Sequence, residues 1–292
     1  MRWRFVLGLL VCAALPAGAA NAAESSRPGP GDSLTVVFKT VAGRSLRLFV
    51  DLPAKWKKSD TRPAFIFFHG GAWVGGDAET SRAQTRYFAE RGMVGISVEY
   101  RLLAREGNEP PAVCCADAKS AMRYIRAHAA ELGVDSNRIA ASGGSAGGHL
   151  AAFTALVDGM DDLRDDISIS PRPQALVLFN PVLNNGPKHE GGWGNGRSLD
   201  RVKEFSPAHN VWRGAPPTIM FLGRKDALIP VATLERFQAS LRDVGTRCDL
   251  MLYDDQEHAF FNRSPYTDLT LAEADRFLRS LGWLGSVSLG VP

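Results

Sequence analysis

The sequence predicts an α/β protein, a mostly parallel sheet covered by helices on both faces, and three observations predict it. Short apolar runs of strand length recur along the chain, the clearest being AFIFF at Ala64 to Phe68. From Ser81 onward such runs alternate with amphipathic stretches of helical length. One stretch, NRIAASGGSAGGHL from Asn137 to Leu150, reads as a strand, a tight glycine turn and a helix start. Strands joined through helices of ten or more residues imply parallel crossovers, which put helices on both faces of one sheet.

The 292 residues suffice for one large α/β domain or two small ones. Residues 1–22 read as a secretory signal: Arg2 and Arg4 precede the apolar run Phe5 to Ala14, and Ala20-Asn21-Ala22 is a small-residue cleavage site. That run is about half the ~20 residues of a spanning helix. The residue before Cys12 is Val11, where a lipid-anchor signal expects a small residue, so no anchor is expected. The mature protein is therefore expected to be secreted or periplasmic, with no membrane attachment. Residues 23–32, rich in Pro and Gly, form a flexible leader, and one catalytic domain is expected over residues 33–285.

Leu34 to Lys39 and Leu46 to Leu52 are strands joined at Ala42-Gly43, a hairpin turn. Ala64 to Phe68 is apolar at every position, as a strand buried on both faces requires. Ser81 to Arg91 is an amphipathic helix stopped by Gly92, and Val94 to Glu99 a strand. Asp117 to Leu132 has helical spacing at Ala121, Tyr124, Ile125, His128 and Leu132, and Gly133 ends it. Arg138 to Ala141 is the strand feeding the glycine turn, and His149 to Val157 the following helix. Strands at Ala175 to Phe179, Thr218 to Leu222 and Asp249 to Tyr253 bring the sheet to eight. Helices are expected at Leu234 to Val244 and Leu269 to Leu281. Asn184 to Asn210 breaks the alternation. It is rich in Gly, Asn, His and Trp, and a loop of this length reads as a lid or substrate rim with a short helix near Leu199 to Phe205.

A formal charge of +3 gives no reason to expect nucleic acid. Cys114, Cys115 and Cys248 form no disulfide framework; a bridge from either neighbour to Cys248 stays open. No spacing for a zinc site occurs, and no metal or cofactor is expected.

The chemistry is expected around the glycine turn. Gly143, Ser145 and Gly147 fit G-x-S-x-G, in which the serine occupies a strained strand-to-helix turn. A serine hydroxyl is a weak nucleophile. It needs a base in hydrogen-bond reach, a carboxylate to orient the base, and backbone donors for the oxyanion. Asp226 follows the strand Thr218 to Leu222, and His258 follows Asp249 to Tyr253, which gives the order Ser, Asp, His. Asp254, Asp255 and Glu257 lie close to His258 in sequence, and Asp255 stands as the alternative acid. His69-Gly70-Gly71 directly after the buried strand can turn its amides to one point, and the residue behind the nucleophile is Ala146; Gly70, Gly71 and Ala146 are the candidate oxyanion donors. His69 is expected to brace this loop, and His149 to be structural. Trp73, Trp193 and Phe260 are candidates for an aromatic rim that stacks on a sugar.

These motifs resemble the α/β-hydrolase superfamily, in its hormone-sensitive-lipase-like and carbohydrate-esterase (acetyl xylan-type) branch. The resemblance rests on His69 to Trp73, Glu99 to Leu102, Gly143 to Gly148, Lys225-Asp226 with Ile229-Pro230, and Glu257 to Phe260. It departs from that branch at Ala72, where a third glycine is common, at Ala259, and at Leu103-Ala104. It implies the α/β-hydrolase fold, with Ser145, Asp226 and His258 as catalytic triad and Gly70 and Gly71 in the oxyanion hole. Too few residues precede the first strands for a two-helix cap, so an open pocket without a large cap domain is expected. The implied function is secreted hydrolysis of short acyl esters, on a small molecule or as acetyl groups on a polysaccharide. The alternatives are a serine peptidase on the same fold, a general carboxylesterase or lipase, and an inactive binding protein; for the last, no triad member is missing.

Overall fold

The computed structural model describes residues 33–193, 197 and 200–285. The expected signal and leader, and a few residues of the 184–210 loop, lie outside the described residues. The hairpin forms from β1 (Ser33–Val41) and β2 (Arg44–Asp51), turning at Ala42-Gly43. Six further strands follow: β3 (Arg62–Phe68), β4 (Val94–Val98), β5 (Val134–Gly144), β6 (Ala175–Phe179), β7 (Thr218–Gly223) and β8 (Cys248–Tyr253). They form one eight-stranded sheet in the order β1-β2-β4-β3-β5-β6-β7-β8. β1, β2 and β4 pair antiparallel, and every pair from β4-β3 to β7-β8 is parallel.

Side chains alternate between two buried layers. On β3, Ala64, Ile66 and Phe68 enter one layer, and Phe65 and Phe67 the other. The run is apolar throughout because both faces are covered. The first layer is covered by α2 (Ala112–Ala127), α4 (Ala146–Leu156) and α6 (Val231–Asp243); the second by α1 (Ala83–Ala89) and α7 (Tyr266–Ser280). Two short helices, α3 (Ala129–Leu132) and α5 (Val202–Phe205), complete the set with 3-10 turns at Lys188–Glu190, Pro207–His209 and Phe260–Asn262.

Several elements start earlier than the sequence expectation; α6 and α7 begin three residues sooner, at Val231 and Tyr266. The helix expected at Asp117 starts at Ala112, behind Pro110 and Pro111, and breaks at His128 before α3. Proline has no N–H to lose there and a preset φ. β5 runs from Val134 to Gly144 and pairs with β3 and β6. α4 starts directly after Ser145, three residues before His149, and every one of its residues is buried. A helix covered on all sides carries no amphipathic signature.

The described part of the 184–210 loop is anchored to the domain near both of its ends. Asn185, Phe205 and Ser206 are buried, the Asn185 backbone N–H donates to Ser206 Oγ at 2.8 Å, and the Asn185 side-chain amide donates to Phe205 O at 2.7 Å. The three cysteines are free and buried, so neither bridge forms. Burial pushes the Cys114 and Cys248 thiols up to about 12.

Candidate active site

Parallel registration gathers the loops. Phe68 pairs with Gly143, Gly144 with Phe179, and Gly223 with Tyr253, so β3, β5, β6, β7 and β8 end along one edge. The segments leaving that edge carry Gly70, Ser145, Asn180, Asp226 and His258. Open α/β sheets bind ligands at this carboxyl edge.

Ser145 has φ 54° and ψ −118°, and its N–H donates to Phe179 O at 2.9 Å. A non-glycine residue at positive φ is strained, and the turn aims the side chain out of the sheet. The turn fits because β3 and α4 approach closely at Gly147: a Cβ there would collide with Phe68 O. Ser145 Oγ lies 2.9 Å from His258 Nε2, and His258 Nδ1 lies 2.7 Å from Asp226 Oδ2. A carboxylate only accepts, so Nδ1 carries the proton and Nε2 accepts from the serine hydroxyl. The Asp226 side chain is fully buried, while that of His258 is 20% exposed. Asp226 Oδ1 accepts from the Leu228 and Ile229 amides, each at 2.9 Å. The aspartate and histidine loops are tied together by Arg224 N to Tyr253 O and Lys225 N to Gln256 O, both 2.9 Å. Asp255 points elsewhere and pairs with Lys225 at the surface, which leaves Asp226 as the carboxylate on His258.

The glycine loop after β3 lies against the serine. A Cβ at Gly70 would sit 3.0 Å from Gly144 O and 3.6 Å from Ser145 Cβ. Gly71 has φ 118°, and its carbonyl is turned inward to accept from Val74 and Gly75, each at 3.0 Å. Among the described residues, the amides of Gly70, Gly71 and Ala146 donate to no backbone acceptor. Ala72, at the position where a third glycine is common, itself holds φ 54°. His69 braces this loop as expected. Its Nδ1–H donates to Gly70 O at 2.8 Å, its ring stacks on Tyr100 at 4.3 Å, and the Tyr100 hydroxyl donates to His69 O at 2.8 Å. Burial pushes the His69 imidazole below its ordinary pKa.

A cavity of about 620 Å³ opens over Ser145. Trp193 lines it and forms part of the rim. Trp73 and Phe260 do not, which corrects two of the three rim candidates. Trp73 is fully buried behind the glycine loop, 5.2 Å from the Trp193 ring and 5.0 Å from His149. Phe260 is fully buried against Tyr253 and Tyr266. Its neighbour Phe261 lines the cavity instead. His149 is structural: its Nε2–H donates to Phe205 O at 2.7 Å, and burial pushes its pKa down to about 4.

Sequence reasoning missed Asn180. It follows β6 at φ 34°, its Oδ1 accepts from Ala259 N at 3.2 Å, and its Nδ2 lies 3.4 Å from His258 Nε2. Its signal was available: a lone polar residue directly after the apolar strand Ala175–Phe179, at the edge where the serine and aspartate strands end. Among the described residues, no cluster of His, Cys, Asp and Glu could hold a metal ion.

Residues 50–185 match the BD-FAE family, and residues 200–288 the dienelactone hydrolase family. Esterase LipC of Mycobacterium tuberculosis is 31% identical, over 68% of this chain and 54% of its own. Isoprenylcysteine alpha-carbonyl methylesterase ICME of Arabidopsis thaliana is 27% identical, over 75% of this chain and 55% of its own. The chain thus spans about half the length of these curated relatives. Among solved structures, Thermogutta terrifontis esterase 2 phosphoramylated by tabun is 40% identical with a TM-score of 0.80, covering 89% of this chain and 98% of that one. The same esterase with propionate bound also gives 40% and 0.80, over 88% and 97%. The chain belongs to the α/β-hydrolase superfamily, in its hormone-sensitive-lipase-like esterase branch.

Proposed function

We propose that this protein is an exported serine esterase that hydrolyses short acyl esters, acetyl groups on a polysaccharide among them. The observation that carries the reading is the hydrogen-bonded line from Ser145 Oγ through His258 to Asp226, at 2.9 and 2.7 Å. Ser145 Oγ attacks the ester carbonyl while His258 Nε2 takes its proton. The carbonyl oxygen becomes an oxyanion held by the Gly71 and Ala146 amides, with Gly70 beside them. Collapse breaks the bond to the alcohol oxygen, which receives the proton from His258. Water then gives its proton to His258 and attacks the acyl-enzyme; collapse frees the acid and returns the proton to Ser145. Asp226 holds the imidazole tautomer and stabilises its charged form throughout.

The open cavity supports an ester on a bulky alcohol, and Trp193 supplies an aromatic surface for it. The propionate bound to the Thermogutta terrifontis esterase supports a short acyl group. Residues 1–22 support export to the periplasm or medium, without a membrane anchor after cleavage.

The test is a panel of p-nitrophenyl esters from acetate to laurate, run beside acetylated xylan and a peptidyl nitroanilide. Turnover falling off above roughly hexanoate, with acetate released from xylan, is the expected result. A preference for laurate, or nitroanilide cleavage without ester turnover, would overturn it.

A further inference from the structure

The cavity over Ser145 extends onto the α1 face of the sheet, and there its wall has a feature the reaction above does not use. Phe67 of β3 and Phe261 of the histidine loop present aromatic surface, and Gln84 of α1 joins them. Gln84 is only 3% exposed, and it lines the cavity. Its side-chain amide makes no hydrogen bond to another described residue and is open to the cavity.

The position of Gln84 is fixed by its neighbours. Arg82 and Thr85 both hold the buried Asp51, with Thr85 Oγ1 donating to Asp51 Oδ2 at 2.6 Å and Arg82 Nε at 3.2 Å. Phe88 stacks on Phe65 at 4.1 Å. α1 also presses on β4 so closely that a Cβ at Gly95 would collide with Thr85 O. Gln84 therefore sits on a pinned element, as a specificity contact requires. The amide is not among the enclosed, unpaired polar atoms, so it meets the cavity and its water, and a group on a bound ligand can take the place of that water.

The lining also says what that partner is. Among the described residues, no Asp, Glu, Lys or Arg side chain lines the cavity; beside His258 its polar side chains are Thr80, Ser81, Gln84, Ser145, Asn180 and Asn262. A neutral amide both donates and accepts, as a hydroxyl does. Taking the esterase reading as its basis, we propose that Gln84 is a specificity-determining residue whose amide hydrogen-bonds a hydroxyl carried by a neutral ester substrate. The aromatic surfaces of Phe67 and Phe261 take the adjoining apolar part. The hydroxyl can belong to the acyl half or to the alcohol half, and two substrate pairs separate these.

For the acyl half the pair is p-nitrophenyl butyrate and p-nitrophenyl 3-hydroxybutyrate. For the alcohol half it is cyclohexyl acetate and the monoacetate of cyclohexane-1,2-diol, followed by acid release. The full chain is expected to favour the hydroxylated member of one pair by about tenfold or more in kcat/KM. Gln84→Met, which keeps the length and removes the hydrogen bonding, is expected to bring that ratio to within about twofold of unity, and Gln84→Ala is read beside it in case one variant folds poorly. Equal kcat/KM within both pairs in the wild type overturns the proposal, and this arm needs no variant. A ratio that both variants leave intact overturns it as well. A Ser145→Ala control separates the two levels: Ser145-dependent turnover with equal ratios removes only the role of Gln84, whereas turnover that survives Ser145→Ala removes the esterase reading with it.

Discussion

Asp226 meets three donors with two oxygens: the Leu228 and Ile229 amides at Oδ1, and His258 Nδ1 at Oδ2. Asparagine in its place can keep the two amide bonds through its carbonyl oxygen. Its NH₂ then faces Nδ1, and the imidazole must answer with a lone pair. The ring proton moves to Nε2, where the serine proton has to go. Asp226→Asn is therefore expected to lower kcat roughly 10³–10⁴-fold with little change in Tm, and a loss below about tenfold would remove the assigned role. His149 makes a prediction about stability instead. Its pKa is pushed down to about 4 by burial, against about 6.5 in an unfolded chain. Between those values the unfolded state holds a proton that the folded state refuses, so stability is lost as pH falls through this window. The shift corresponds to roughly 3 kcal/mol. Chemical unfolding at about pH 7 and about pH 4.5 should show that loss, and His149→Gln should flatten it; equal slopes would contradict the buried neutral imidazole. At this scale the serine, aspartate and histidine were legible from their order and from the strands before them. Trp73 and Phe260 were misread because an aromatic residue beside a motif fits a rim and a core equally well in sequence. Phe261 and Phe260 differ only in which way the chain turns after Ala259, which holds φ 63°.

The serine turn works as an element only because β3, β5 and α4 meet without side chains between them. Gly147 is the clearest instance, its missing Cβ being occupied by the carbonyls of Phe68 and His69. These lead directly into the glycine loop, so any retreat of α4 displaces Ser145 and the amides of that loop together. Gly147→Ala is expected to lower kcat/KM on the order of 10²-fold, as a misplacement of about 1 Å does, and to lower Tm. Unchanged activity and Tm would mean the contact is not tight. The glycine spacing was visible in sequence, yet it also hid the start of α4, because Gly147 and Gly148 are poor helix formers. Tertiary packing overrode that propensity. α2 was shortened in the sequence reading because its first turns bury small residues: Cys114 and Ala118 continue the spacing of Ala121 and Ile125, but small side chains mark an apolar face less clearly than large ones. Strand existence was legible nearly throughout, since runs buried on both faces are apolar at every position.

At the scale of the whole molecule, the sheet is a device for collecting loops distant in sequence. Ser145 and His258 are 113 residues apart in the chain and 2.9 Å apart at their reacting atoms. Parallel registration alone brings them together. Asn180 was marked in sequence only by its place directly after the apolar run of β6, and Gln84, within a helix, by no motif. The 184–210 loop was legible as an interruption but not as a stitched one, because its buried anchors Asn185 and Ser206 look like ordinary loop residues in sequence. The central claim is that this assembly makes Ser145 a nucleophile that forms a covalent intermediate. The most direct measurement is intact-protein mass spectrometry after treatment with paraoxon, followed by peptide mapping. The predicted result is a single diethylphosphoryl group on Ser145, loss of ester turnover in step with it, and neither labelling nor turnover in Ser145→Ala. Labelling at another residue, or ester turnover that persists in Ser145→Ala, would contradict the account.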